Sequence, residues 1–161
     1  MKAKYFLIAL LLVSFTAFAQ QVNVPKSAKD AFSKLYPKAT EVKWDKENQG
    51  YEASFKLNGQ DMSVILDKDG KVMETETAIE TSQLPKGVEK YVMDNYKGFN
   101  ITGAAKIVNS KGEVTFEAEI SKDKVKKDLF FDANGKPDKK DVNKENENEE
   151  EEEDEEDDEK D

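Results

Sequence analysis

The sequence predicts an α+β fold built as a tandem repeat of two helix-plus-antiparallel-sheet modules, about four strands each. Three observations carry that expectation. Two proline-led openings are each followed by apolar residues at helical spacing. Apolar/polar alternation follows both stretches. A set of turn residues then returns about 65 positions later.

The first module is placed at 20–80. Val24-Pro25-Lys26 opens its helix, with proline where a missing N–H costs nothing. Ala28, Ala31, Phe32 and Leu35 fall on one face. Val42 and Trp44 alternate with Glu41, Lys43 and Asp45, so a strand follows, with Trp44 on the core side. Asn58-Gly59 predicts a two-residue type I′ hairpin. Pairing outward sets Leu57 against Gln60, Phe55 against Met62, Ala53 against Val64 and Tyr51 against Leu66. The opposite face pairs Lys56 with Asp61, Ser54 with Ser63 and Glu52 with Ile65; a one-residue slip would mix the faces. Asp67-Lys68-Asp69-Gly70 turns the chain into a last strand, Lys71 to about Ala78.

The second module, 81–140, opens at Leu84-Pro85-Lys86, sixty residues after its counterpart, and places Val88, Tyr91, Val92 and Tyr96 on one helix face. Beyond the helix the offset grows to 65: Tyr51–Phe55 matches Phe116–Ile120, and Leu66–Lys71 matches Phe131–Lys136. Five extra residues are therefore expected between the second helix and its first strand, which puts Asn109 at the place of Trp44. The turn Ser121-Lys122-Asp123-Lys124 lacks Asn-Gly and leaves the second register open.

Residues 1–19 read as a cleaved secretory signal: Lys2 and Lys4, an apolar run from Tyr5 to Phe18, then Ala17-Phe18-Ala19. The run is too short for a transmembrane anchor. The formal net charge of −10 belongs to one segment: 141–161 carries 15 acids and two lysines, whereas 20–140 has 20 acids and 21 lysines. The acidic run is expected to be a disordered tail, able to associate weakly with divalent cations or a basic partner. The balanced remainder disfavours nucleic acid. The chain has no Cys, His or Arg, which excludes disulfides, imidazole bases, thiolate nucleophiles and the usual zinc ligands. No catalytic constellation, metal site or cofactor motif stands out.

Val24-Pro25, Phe32, Tyr36-Pro37, Val42-Lys43-Trp44, Tyr51, Phe55, Asn58-Gly59 and Leu66-Asp67 with Gly70 together resemble the PepSY-like, β-lactamase-inhibitor-like domains of exported Bacteroidota proteins. The resemblance spans roughly residues 22–140. It implies a sheet with a concave outer surface, a periplasmic or secreted location and a protein-binding or inhibitor-like role. It brings no catalytic residues.

Two apolar residues break the polar outer face. Ile65 and Phe130 occupy matching positions and point away from the expected core, as anchors for an unknown protein partner or as packing between modules. The rest of that face reads as a mixture of Lys, Glu, Ser and Thr, poor in the aromatics of tight interfaces. Asp67–Gly70 has the composition of a calcium loop but the spacing of a simple turn. The competing function is a structural or adaptor protein of the envelope, acting through the acidic tail.

Overall fold

Ala28 and Phe32, one turn apart, form the buried stripe of α1 (Lys26–Leu35). The computed structural model describes residues 22–47 and 50–138, so the expected signal and acidic tail lie outside the described residues. After α1 come β1 (Thr40–Lys46), β2 (Tyr51–Leu57), β3 (Gln60–Leu66) and β4 (Val72–Ala78). A 3-10 turn, Thr81–Gln83, leads to α2 (Val88–Asn95), then β5 (Asn100–Asn109), β6 (Val114–Lys122) and β7 (Val125–Asp132). All seven strands form one antiparallel sheet in the order β1 to β7.

Each helix closes its own apolar cluster on the same sheet. Under α1 lie Ala53, Phe55, Val64 and Leu66. Phe32 meets Trp44 and Phe55 edge-on, with ring centroids 5.3 and 5.1 Å apart. Trp44 therefore packs on the core, as its alternation predicts. Under α2 lie Ala118, Ile120, Leu129 and Phe131, with Tyr91 edge-on to Phe131 at 5.5 Å. Leu35 departs from the expected core stripe: it sits in the last turn of α1 and is 51% exposed.

The first hairpin has the register read from sequence, from Leu57↔Gln60 to Tyr51↔Leu66. Asn58 and Gly59 adopt φ of 52° and 85°, as a type I′ turn requires. The register left open in the second hairpin is Lys122↔Val125, with Asp123 at φ 54° in the turn. Asp tolerates the left-handed region well enough to replace Asn.

One expectation is corrected. The spacing from α2 to β5 equals that from α1 to β1, and the extra residues lengthen the hairpin arms, three in β5 and two at the start of β6, with the connecting turn unchanged in length. Ala104, not Asn109, takes the place of Trp44: it pairs with Ala118 as Trp44 pairs with Ala53. Both strands begin with a register shift, between Thr40 and Lys43 and between Ile101 and Gly103. That shared bulge fixes the helix–strand connection, whereas a solvent-facing hairpin end tolerates insertion. The described residues give the second half three strands; where a fourth was expected there is a single bridge, Phe131↔Pro137.

Candidate functional site

Strand alternation that sends Ala53 and Val64 to the helices sends Glu52 and Ser63 to the opposite face. Register then aligns side chains across strands. One row runs Asp45, Glu52, Ile65, Glu74 and Asn109 from β1 to β5. The next contains Ser54, Ser63, Glu76 and Ile107. On the other half Ala105, Glu117 and Phe130 form a row, with Glu119 opposite Asp128 beside it.

This face is drier than its composition suggests. Glu52, Ser63 and Glu117 are each only 6% exposed. Phe130, at 8%, and Ala105 are buried too, yet none of these five belongs to either helix-covered cluster. Burial pushes Glu117 up to about 9 and Glu76 up to about 8, with neighbouring carboxylates adding to the shift. Glu74 is raised by burial and then by the Glu52 charge. Glu52 is raised by burial against the pull of a hydrogen bond with Ser63. Burial also raises Asp128, followed by the charge of Glu119. The hydrogen bond between Glu117 and Asp128 favours the neutral form of the first and the ionised form of the second, so Glu117 holds the proton.

Cations do not neutralise this row. Lys56 pairs with Asp61 at 3.0 Å and Lys126 with Glu119 at 3.1 Å. Among the described residues, no lysine forms a salt bridge with Glu52, Glu74, Glu76 or Glu117. Oε1 of Glu52 and Oε2 of Glu76 are buried without a hydrogen-bond partner. A face of this kind can store protons or receive a cationic group.

The sequence-predicted residues stand on this surface. Ile65 is half-buried between Glu52 and Glu74, its direct cross-strand neighbours, and Phe130 lies beside Glu117. The two are not brought together; strands β4, β5 and β6 separate them. Glu52 is legible in the sequence as an outer-face residue paired with Ile65, and Glu117 only through its 65-residue offset from Glu52. The burial of both depends on strands that sequence pairing does not bring together.

The Asp67–Gly70 segment is a turn whose carboxylate is already occupied. Oδ1 of Asp67 accepts from the amides of Asp69 and Lys71, both at 2.9 Å. Oδ1 of Asp132 accepts from those of Asn134 and Lys136 at 2.8 and 3.0 Å. These backbone bonds hold both aspartates below the usual carboxylate range. No group of three or more candidate ligands among the described residues is arranged to hold a metal ion. A hollow of about 680 Å³ lies elsewhere, lined by Leu84, Met93, Phe99 and Ile101 among others, and none of the outer-face acids lines it. No helix among the described residues is long and apolar enough to cross a membrane.

No family model matches the chain, and no curated protein matches its sequence. Solved structures do. A candidate periplasmic protein from Bacteroides eggerthii superposes with a TM-score of 0.63 at 19% identity, covering 71% of this chain and 85% of its own. A DUF2874 family protein from Bacteroides ovatus gives 0.58 at 25% identity, over 69% and 82%. A BLIP-like protein from Bacteroides fragilis gives 0.54 at 26% identity, over 70% and 82%. The chain shares its α+β fold with these DUF2874 and BLIP-like proteins.

Proposed function

We propose that the protein is an exported, non-enzymatic binding protein that receives a protein partner on the sheet face opposite its helices, with Ile65 and Phe130 as apolar anchors. The observation that carries this reading is that face itself, where an apolar residue sits beside a buried glutamate in each half. Its fold neighbours include a BLIP-like protein and a candidate periplasmic one, which favours binding and export over catalysis. Export further rests on the signal-like run ending at Ala19. A tandem origin accounts for the 65-residue offset between Glu52 and Glu117, between Ile65 and Phe130, and between the turns at Asn58 and Asp123. The PepSY-like resemblance fits the same reading.

The test uses the mature chain, starting at Gln20, as bait in cross-linked envelope extract. A specific partner should be captured by the wild type and lost with Ile65→Asp, while circular dichroism shows an intact fold. Phe130→Ala should weaken capture in parallel. Capture that survives both changes but disappears on deletion of 141–161 would replace this reading with the adaptor one.

A further inference from the structure

Side chains charged at neutral pH seldom lie buried without a partner of opposite charge, because desolvation favours their neutral form. Glu52 is more than nine-tenths buried, and its Oε1 meets no donor. Oε2 of Glu76 is buried and unpartnered on the same face. Their charges act on one another: Glu52 raises both Glu74 and Glu76, and Glu76 raises Glu117. The domain has 21 lysines against 20 acids, yet Lys56 and Lys126 on this face pair at its margins, with Asp61 and Glu119. Glu76 and Glu117 keep their protons at neutral pH while the face is free, and Glu52 and Glu74 have no internal cation. An external cation would supply the missing counter-charge and favour ionisation of the whole group.

We infer that this row of acids is an arginine-reading site: it binds an arginine-bearing segment of the partner, whose guanidinium groups bond to Glu52, Glu74 and Glu76 on one half and to Glu117 and Asp128 on the other. The inference rests on the proposed binding role and specifies its chemistry. Ile65 stands directly between Glu52 and Glu74, so an aliphatic stem laid on it would bring its head to carboxylates on two strands. β2 and β4 lie two strand spacings apart, about 9.6 Å, and glutamate side chains leaning in over Ile65 could both reach one planar fork with five N–H donors. An ammonium is a compact, strongly hydrated point charge and suits a half-dry surface less well. On the second half Phe130, on the edge strand β7, has Glu117 on one side, with Asp128 two residues before it on its own strand.

The experiment titrates the full mature chain, in 150 mM salt, with a synthetic nonapeptide of alternating arginine and serine. Matched peptides carry lysine or the neutral isostere citrulline. The arginine peptide should bind at least tenfold more tightly than either, and Glu52→Gln with Glu76→Gln should remove at least that factor without lowering the melting temperature. Backbone amide NMR shifts should move at Glu52, Ile65, Glu74 and Glu76. Equal binding of arginine and citrulline peptides, unchanged affinity of the double variant, or shifts confined to 141–161 would each overturn the inference. If the cross-linked partner is lost with Ile65→Asp but retained by the Gln variants, the arginine chemistry fails and the binding role stands. If nothing is captured by any form, the binding role itself fails.

Discussion

Replacing Glu117 with Gln should stabilise the protein at neutral and alkaline pH and do little below pH 5. In the folded state burial and its acidic neighbours push Glu117 up to about 9, from an ordinary value of 4.5. An unfolded chain ionises this residue above pH 4.5, while the folded one keeps the proton until about pH 9. The unfolded state thus binds fewer protons in that window, and stability falls as pH rises, by about 1.4 kcal/mol per unit. From pH 4.5 to pH 7 the loss is about 3 kcal/mol. Glu76, pushed up to about 8, contributes a second slope of the same sign. Gln keeps the shape and a donor for Asp128 but does not titrate. Glu117→Gln should therefore gain about 3 kcal/mol at pH 7, roughly 10 °C in melting temperature for a domain of this size, and under 1 kcal/mol at pH 5. Thermal melts from pH 5 to 9 on both forms measure this. A wild-type melting temperature that climbs between pH 5 and 8, or a variant less stable than wild type at pH 8, would refute the reasoning. Asp67 and Asp132 have the opposite sign: their backbone bonds stabilise the ionised form, and that contribution disappears only as pH falls below the ordinary Asp range.

Other perturbations separate packing from backbone effects. Phe131→Ala removes a fully buried ring and should cost about 3–5 kcal/mol in urea unfolding. Gly59→Ala meets open space and suffers only its positive φ, so about 1 kcal/mol should be lost. Gly70→Ala adds to the same φ a Cβ 2.7 Å from the Ser27 carbonyl oxygen on α1, and its melting temperature should fall further than that of Gly59→Ala. Mass spectrometry of the exported chain should show a mature N-terminus at Gln20, and retention of residues 1–19 would remove the argument for a cleaved signal.

What could be read from sequence was what local chemistry enforces. Asn58-Gly59 admits essentially one hairpin, and the apolar pairs Phe55–Met62 and Ala53–Val64 admit one register around it. Trp44 was placed correctly by alternation alone. Strand β5 was harder, because Ala104, Ala105 and Gly103 lack bulk on either face, and alignment on the stronger Phe116 motif shifted the counterpart of Trp44 to Asn109. The outer-face acids were legible as positions but not as an environment. Whether Glu52 is solvated depends on Asp45, Ile65 and Glu74 from three other strands, which no local pattern brings together. Union of both halves in one sheet likewise depends on the pairing of Glu74–Ala78 with Ala105–Asn109, whose side chains are mostly polar or small.

That same pairing determines where the molecule opens first. β4 lies in the middle of the sheet and contains no fully buried residue, while the buried apolar side chains gather under α1 and α2 on either side of it. Sheets ordinarily loosen at their edges. Here amide hydrogens of Met73–Thr77 should exchange before those of Ala53–Phe55 or Ala118–Ile120, because opening β4 exposes little apolar surface. The protein then behaves as two firm lobes sharing a soft spine, and Glu74 and Glu76 sit on the spine, where a bound segment spanning both halves would hold the lobes together.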